Sequence, residues 1–295
     1  MQSENEGAEK EKGLLRVAAI QFEPILGQCE RNRRKLVESI EKVLGQKAEL
    51  VVTPELGVSG FVLHTRTEAF QNAEAIPAGP TVSALEGVAK KKNGYIVSGI
   101  LEKEGDFLYN AAVLVGPKGY IGKYRKNHLW DLEKTFNEPG NMGLPTFELP
   151  FGRLAIGICY DGWFPEVSKI YQLQGADLIC YSANWVVVPD VITAENPLSP
   201  HIHMAQAHMN GLFIICADRV GTERGVTFLG NSCICGPEGY IKGPASLDNE
   251  EILLAEINPM KARLKQWTPY NHIVMDRRTD LYDEILGYKG RSRPC

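Results

Sequence analysis

With 295 residues, 44% of them hydrophobic and 23% charged, the chain has the composition of an ordinary globular protein able to bury a large core. A net charge of −4 argues against nucleic acid as a partner, because binding phosphates needs a basic patch. No stretch approaches the roughly 20 apolar residues of a membrane span, so a bilayer role is not expected.

The N-terminus, Met1 to Lys12, is polar and lacks an apolar h-region, so it reads as part of a disordered tail over 1–13 and not as a signal peptide. Val17 to Phe22 reads as a buried strand. The next segment places Leu36, Val37, Ile40, Val43 and Leu44 on one helical face with charged residues opposite. Leu50 to Val52 is a short buried strand ending at Thr53-Pro54-Glu55, and Pro80 to Lys92 is a helix with Val82, Leu85, Val88 and Ala89 on one stripe. Tyr95–Leu101 and Leu108–Val115 are strands joined around the turn residues Glu104-Gly105-Asp106.

The second half repeats the plan. Strands are expected at Arg153–Ile158, Ala176–Tyr181, Leu212–Ala217 and Thr227–Cys235, with helices at Phe164–Gln174 and Ser199–Asn210. The turn Gly116-Pro117-Lys118-Gly119-Tyr120-Ile121 recurs as Gly236-Pro237-Glu238-Gly239-Tyr240-Ile241, and Ala48-Glu49-Leu50-Val51 is echoed by Ala176-Asp177-Leu178-Ile179. Two similar halves, each a sheet covered by helices, would bury their bare faces against each other. That predicts an α/β fold, a four-layer α-β-β-α sandwich over 14–258, followed by a C-terminal extension over 259–295.

Cys159 stands where the buried run Leu154 to Ile158 stops and a helix is about to begin at Phe164-Pro165-Glu166. A thiol aimed at the positive end of a helix is expected to have a lowered pKa and to be a usable nucleophile. Asp161 is placed to cap that helix, and Pro165 suits its first turn. Glu55 follows a buried strand directly, and Lys126 follows a hairpin strand within Tyr124-Arg125-Lys126-Asn127-His128-Leu129. All three fall at strand ends, where residues from separate strands converge. Together they supply a nucleophile, a proton carrier and a cation.

These residues resemble the nitrilase superfamily, the carbon-nitrogen hydrolases. The Pro54-Glu55 strand end, Tyr124-Arg125-Lys126-x-His128-Leu129, and Gly157-Ile158-Cys159-Tyr160-Asp161-x-x-Phe164-Pro165-Glu166 match its three motifs in order, and the likeness runs from Leu14 to about Tyr282. The resemblance implies the αββα sandwich and a catalytic set of Glu55, Lys126 and Cys159. It adds a second glutamate in the loop after the lysine, best matched by Glu133, with Glu138 the other candidate. A Cys159 thiolate would attack the substrate carbon, the Lys126 ammonium and the Tyr160 backbone N–H would meet the developing oxyanion, and Glu55 would carry protons while Glu133 orients the lysine.

Tyr160-Asp161 after the cysteine looks like the amidase and carbamoylase branches, which favours release of ammonia from a small amide or N-carbamoyl compound. Ala217-Asp218-Arg219-Val220-Gly221 and Asp276-Arg277-Arg278 resemble a branch with small aliphatic nitrilases, so nitrile hydrolysis is the alternative. An acyl transferase or a non-catalytic binding protein on the same scaffold are further alternatives. Asn184 and Trp185 are expected to line the acyl pocket.

No metal or other cofactor is expected: the spacing of His201, His203 and His208 is no known ligand pattern. Cys233 and Cys235 should face the core together, and His128 should hydrogen-bond within its own loop. Seven cysteines without framework spacing fit free thiols in a reducing cytoplasm. The apolar residues of the nucleophile helix (Val167, Ile170, Tyr171 and Leu173) and of the stretch Pro259 to Tyr288 predict at least a homodimer.

Overall fold

The computed structural model describes residues 13–286, so the tail predicted before Gly13 and the end of the C-terminal extension lie outside the described residues. The chain opens with β1 (Leu15–Gln21), α1 (Cys29–Gly45), β2 (Leu50–Val52), α2 (Arg66–Asn72) and α3 (Pro80–Lys92). It continues through β3 (Tyr95–Glu104), β4 (Phe107–Gly116) and β5 (Gly119–Arg125). The second half runs β6 (Thr146–Leu149), β7 (Gly152–Ile158), α4 (Pro165–Leu173), β8 (Leu178–Ser182), α5 (Leu198–Asn210) and β9 (Phe213–Ala217). Two short strands, β10 (Thr222–Glu223) and β11 (Val226–Thr227), precede β12 (Cys233–Gly236), β13 (Gly239–Lys242) and β14 (Glu251–Ile257).

Two six-stranded sheets result, ordered β14-β1-β2-β3-β4-β5 and β13-β12-β9-β8-β7-β6. In each, three parallel strands form the centre (β1, β2, β3 and β7, β8, β9) and antiparallel strands finish the edges. Strand alternation explains the layering. Val17 and Ala19 of β1 pack into the core shared with the second sheet, whereas Ala18 and Ile20 pack against Leu36, Ile40 and Val43 of α1. Val167 and Tyr171 of α4 and Ala207 of α5 close the opposite side. The architecture is the predicted α-β-β-α sandwich.

The internal repeat is structural. Val115 pairs with Tyr120 and Gly116 with Gly119, and Cys235 pairs with Tyr240 and Gly236 with Gly239, each hairpin bulged at the same place. Likewise Glu49 donates to Arg16 O and accepts from Tyr95 N–H, while Asp177 donates to Arg153 O and accepts from Phe213 N–H. Their carboxylates return the bond, to Arg16 N–H at 3.1 Å and Arg153 N–H at 2.8 Å.

Two expectations need correction. The strand predicted over Thr227–Cys235 is broken, because Phe228 to Ser232 leaves the ladder with Gly230 and Asn231 at positive φ. The helix beyond Cys159 is also preceded by a 3-10 turn, Cys159–Trp163, before α4 begins with Pro165 at its first position. Two of the edge strands, β6 and β14, lie where no strand was predicted.

The described chain divides into two compact units, 13–263 and 264–286. The second holds the hairpin β15 (Gln266–Thr268) and β16 (Asn271–His272) and a helix, α6 (Thr279–Leu286). It exposes Leu264, Tyr270 and Met275. Among the described residues no helix is long and apolar enough to cross a membrane.

Candidate active site

Glu55, Lys126 and Cys159 follow the C-terminal ends of β2, β5 and β7. Glu55 leaves β2 through Pro54 and passes over β3 at Gly99, where a Cβ would stand 2.6 Å from both the Glu55 Cα and the Pro54 carbonyl oxygen. Only glycine admits the loop there. Its backbone is tied to the second sheet: Asn184, just past β8, donates from Nδ2 to Glu55 O at 2.9 Å. Lys126 follows β5, fixed by its N–H to Asn110 O and by Gly140 N–H to its own carbonyl.

The Lys126 Nζ donates to Glu55 Oε1 at 2.6 Å and to Glu133 Oε2 at 2.7 Å, with both the lysine and Glu55 wholly buried. Glu133 sits in a 3-10 turn, Asp131–Thr135, and also accepts from Trp130 N–H at 2.9 Å. Glu138 is exposed and contributes its backbone N–H to Leu108 O. The structure therefore brings Glu133, and not Glu138, to the lysine. Asn110 completes the cluster by donating from Nδ2 to Glu55 Oε1 at 2.6 Å and to Glu133 Oε1. Sequence reasoning missed Asn110, although a lone amide inside the apolar run Leu108 to Val115 is a signal that something polar lies beneath it.

Electrostatics follow from burial. Desolvation raises Glu55 and the Glu133 charge adds to it, while Lys126 opposes, which leaves the carboxyl at about 7. Burial alone would push the Lys126 ammonium down, but Glu133 and Glu55 outweigh it and hold the cation firmly charged. The Cys159 thiol is pushed well above its ordinary range, first by burial and then by Glu55, with only partial relief from Lys126 and from the Asn184 backbone N–H. This corrects the expectation of a lowered pKa. The turn at Cys159 is short and buried, and the Glu55 charge adds to the effect of burial. At rest the site holds a neutral thiol beside a base.

Cys159 has φ +44°, a left-handed conformation that costs a non-glycine residue about 1–3 kcal/mol unless its surroundings hold it. Asp161 supplies the restraint. Its carboxylate accepts from Ile158 N–H at 3.0 Å, Tyr124 O–H at 2.8 Å and His128 N–H at 3.1 Å, and pairs with His128 Nδ1 at 2.7 Å. Asp161 thus reaches back across the cysteine and binds the lysine segment, and does not cap α4 as expected. His128 is correspondingly not confined to its own loop: it bonds Asp161 and stacks on Phe164 with ring centroids 3.8 Å apart.

A cleft of about 10 Å³, the size of one water, opens beside Cys159 between Tyr160, Trp130, Trp163, Asn184 and Trp185. The Tyr160 amide lies in the first turn of the 3-10 helix, where N–H groups have no intrahelical acceptor. Asn184 and Trp185 do line the cleft. Trp185 stacks on Trp163 at 5.5 Å, and its backbone N–H is held by the buried Asp218 at 3.0 Å. Among the described residues, Glu55 Oε2 and Asn184 Oδ1 are buried without a hydrogen-bond partner. Of the three histidines, His201 meets Tyr240 and His208 meets Pro237 O, while His203 is bonded to Ser199 O and packs edge-on behind Trp185 at 5.9 Å. Among the described residues no three His, Cys, Asp or Glu side chains cluster as metal ligands.

A buried thiol, a base poised near neutrality and a fixed cation form a set able to run acyl transfer. The family profile of the carbon-nitrogen hydrolases matches residues 16–266. The chain belongs to that family, the nitrilase superfamily, and is a hydrolase of carbon–nitrogen bonds. It is 40% identical over 269 residues to a nitrilase from Pyrococcus abyssi, covering 91% of this chain and 99% of that one. It is 30% identical to an N-carbamoylputrescine amidase from Oryza sativa, covering 93% and 95%. A carbon-nitrogen hydrolase of Helicobacter pylori superposes with a TM-score of 0.82 at 25% identity, covering 93% of this chain and 98% of that one.

Proposed function

We propose that this protein is an amidase that releases ammonia from a small linear amide through a thioester on Cys159. Glu55 takes the thiol proton as sulfur bonds to the carbonyl carbon, and the oxyanion is met by the Lys126 ammonium and the Tyr160 N–H. Glu55 then gives that proton to nitrogen as the C–N bond breaks and ammonia leaves. In the second half Glu55 takes a proton from water, hydroxide attacks the thioester, and the thiol is restored with the same proton. Glu133 and Asn110 are positioning residues that hold Lys126 and Glu55 for these transfers.

The observation that favours an amide is a pair of buried acceptors without partners among the described residues, Asn184 Oδ1 in the cleft lining and Glu55 Oε2 in the cluster with Lys126. An amide nitrogen brings two N–H donors to such acceptors, and a nitrile brings none; an acceptor left unpaired costs about 1–3 kcal/mol. The second reading, nitrile hydrolysis, is favoured by the 40% identity to the Pyrococcus nitrilase. Comparing kcat/KM for propionamide and propionitrile separates the two. The amide should lead by about tenfold or more, and Asn184→Ala should erode that lead. A faster nitrile would overturn the amide reading.

The six described cysteines are free, which fits a reducing cytoplasm. The exposed Ile170 and Leu173 of α4, and the exposed Leu264, Tyr270 and Met275 of the C-terminal unit, support a homodimer.

A further inference from the structure

The water-sized cleft at Cys159 is too small for anything beyond the reacting carbon and its first substituent, yet it does not end there. A second cavity of about 350 Å³ shares Trp130, Val186 and Val188 with it. Phe61, Leu63, Phe136 and Val226 give this cavity apolar walls. One wall is fixed from behind: the buried Glu223 accepts from the Phe61 N–H at 2.8 Å and the Val62 N–H, and is itself held by Arg219 at 2.8 Å. A preformed apolar chamber is what a ligand pocket requires.

The charges of the chamber are spoken for or lie in water. Glu133 is turned toward Lys126, Asn110 and the Trp130 N–H. Arg224 is paired with Glu68 through both terminal nitrogens and with Val62 O at 3.0 Å. His64 and Asp131 are exposed at the mouth, where solvent screens a charge strongly. A charged group carried into the chamber would be desolvated without a partner.

Resting on the amidase reading, we propose that the substrate is an amide whose acyl chain is an uncharged hydrocarbon, alkyl or aryl, that runs past Trp130 into this chamber. The chamber, not the cleft, then sets specificity, and substrates with an ammonium or carboxylate at the far end are rejected.

The test is a series at fixed chemistry: propionamide, butyramide, hexanamide and hydrocinnamamide, against ε-aminohexanamide and the monoamide of adipic acid. From propionamide to hexanamide kcat/KM should rise by about fourfold per methylene. Both charged analogues should fall about tenfold or more below hexanamide. Val226→Asp, with folding checked by circular dichroism, should flatten the rise by placing a charge in the chamber wall. A hexanamide value within about twofold of propionamide overturns the inference while leaving the amidase reading standing. So does a preference for ε-aminohexanamide that disappears in Asp131→Asn, which would make the mouth carboxylate a cation reader. Hydrolysis of none of these amides would remove the amidase reading, and this inference with it.

Discussion

The Cys159 thiol and the Glu55 carboxyl are both raised by the same burial, and their relation decides the pH response. Glu55, at about 7, is protonated and useless as a base below that value and available above it. kcat/KM should therefore rise with pH on an acid limb whose apparent pKa is near 7. Activity unchanged down to about pH 5 would remove Glu55 from the base role. Asp161 invites a second test. Asparagine keeps the shape but presents an amide NH₂ to donors, so Asp161→Asn should free the strained cysteine turn. Turnover should fall about a hundredfold with KM little changed, and alkylation of Cys159 should slow; Tyr124→Phe, which deletes one donor, should do less. Unaltered alkylation in Asp161→Asn would refute a positioning role. The three residues Glu55, Lys126 and Cys159 were legible because each ends a strand beside a stiffening or repeated motif. The direction of the thiol pKa was not: a sequence marks where a helix starts, but not how deeply the turn before it is buried or which carboxylate from another strand lies beside it.

Strand ends place the reacting groups, and glycine decides how closely they approach. Gly99 of β3 lets the Glu55 loop cross it in contact, and its three close neighbours, from Pro54, Glu55 and Leu56, are backbone that cannot swing aside. Gly99→Ala should cost about 1–3 kcal/mol of stability and lower kcat/KM by more than the stability loss explains, because Glu55 is displaced. Gly87→Ala is the contrast: on the exposed face of α3 nothing lies within 4 Å of an added Cβ, and stability should rise by about 0.5–1 kcal/mol. Thermal unfolding of the two variants checks both signs. The elements that read clearly were those with strong period: α3 matches its predicted bounds because Pro80 starts it and Asn93, left-handed, ends it. The strands that failed to read, β6 and β14, are sheet edges and carry mixed burial, so their apolar alternation is diluted.

At the scale of the whole molecule the site is a product of the duplicated plan. The first sheet supplies Glu55 and Lys126, the second supplies Cys159 and Asn184, and the Asn184 bond to Glu55 O joins them. The repeat was visible because its turn must be built from glycine and proline, and the sandwich followed from two sheets each needing a cover. What the sequence left open was how the chambers beyond Cys159 are shaped, since their walls come from loops widely separated in the chain. For the assembly, light scattering should give at least twice the 32.7 kDa of one chain, and removal of 264–295 should weaken association. A fully active species of 32.7 kDa would refute the dimer.

The central claim is a thioester on Cys159, and intact-mass analysis of quenched enzyme tests it most directly. Wild-type enzyme quenched in acid during turnover of propionamide should carry one propionyl group, peptide mapping should find it on Cys159, and Glu55→Gln, deprived of the base that takes the thiol proton, should carry far less. An acyl group on any of the other six cysteines, or continued ammonia release by Cys159→Ala, would contradict the account.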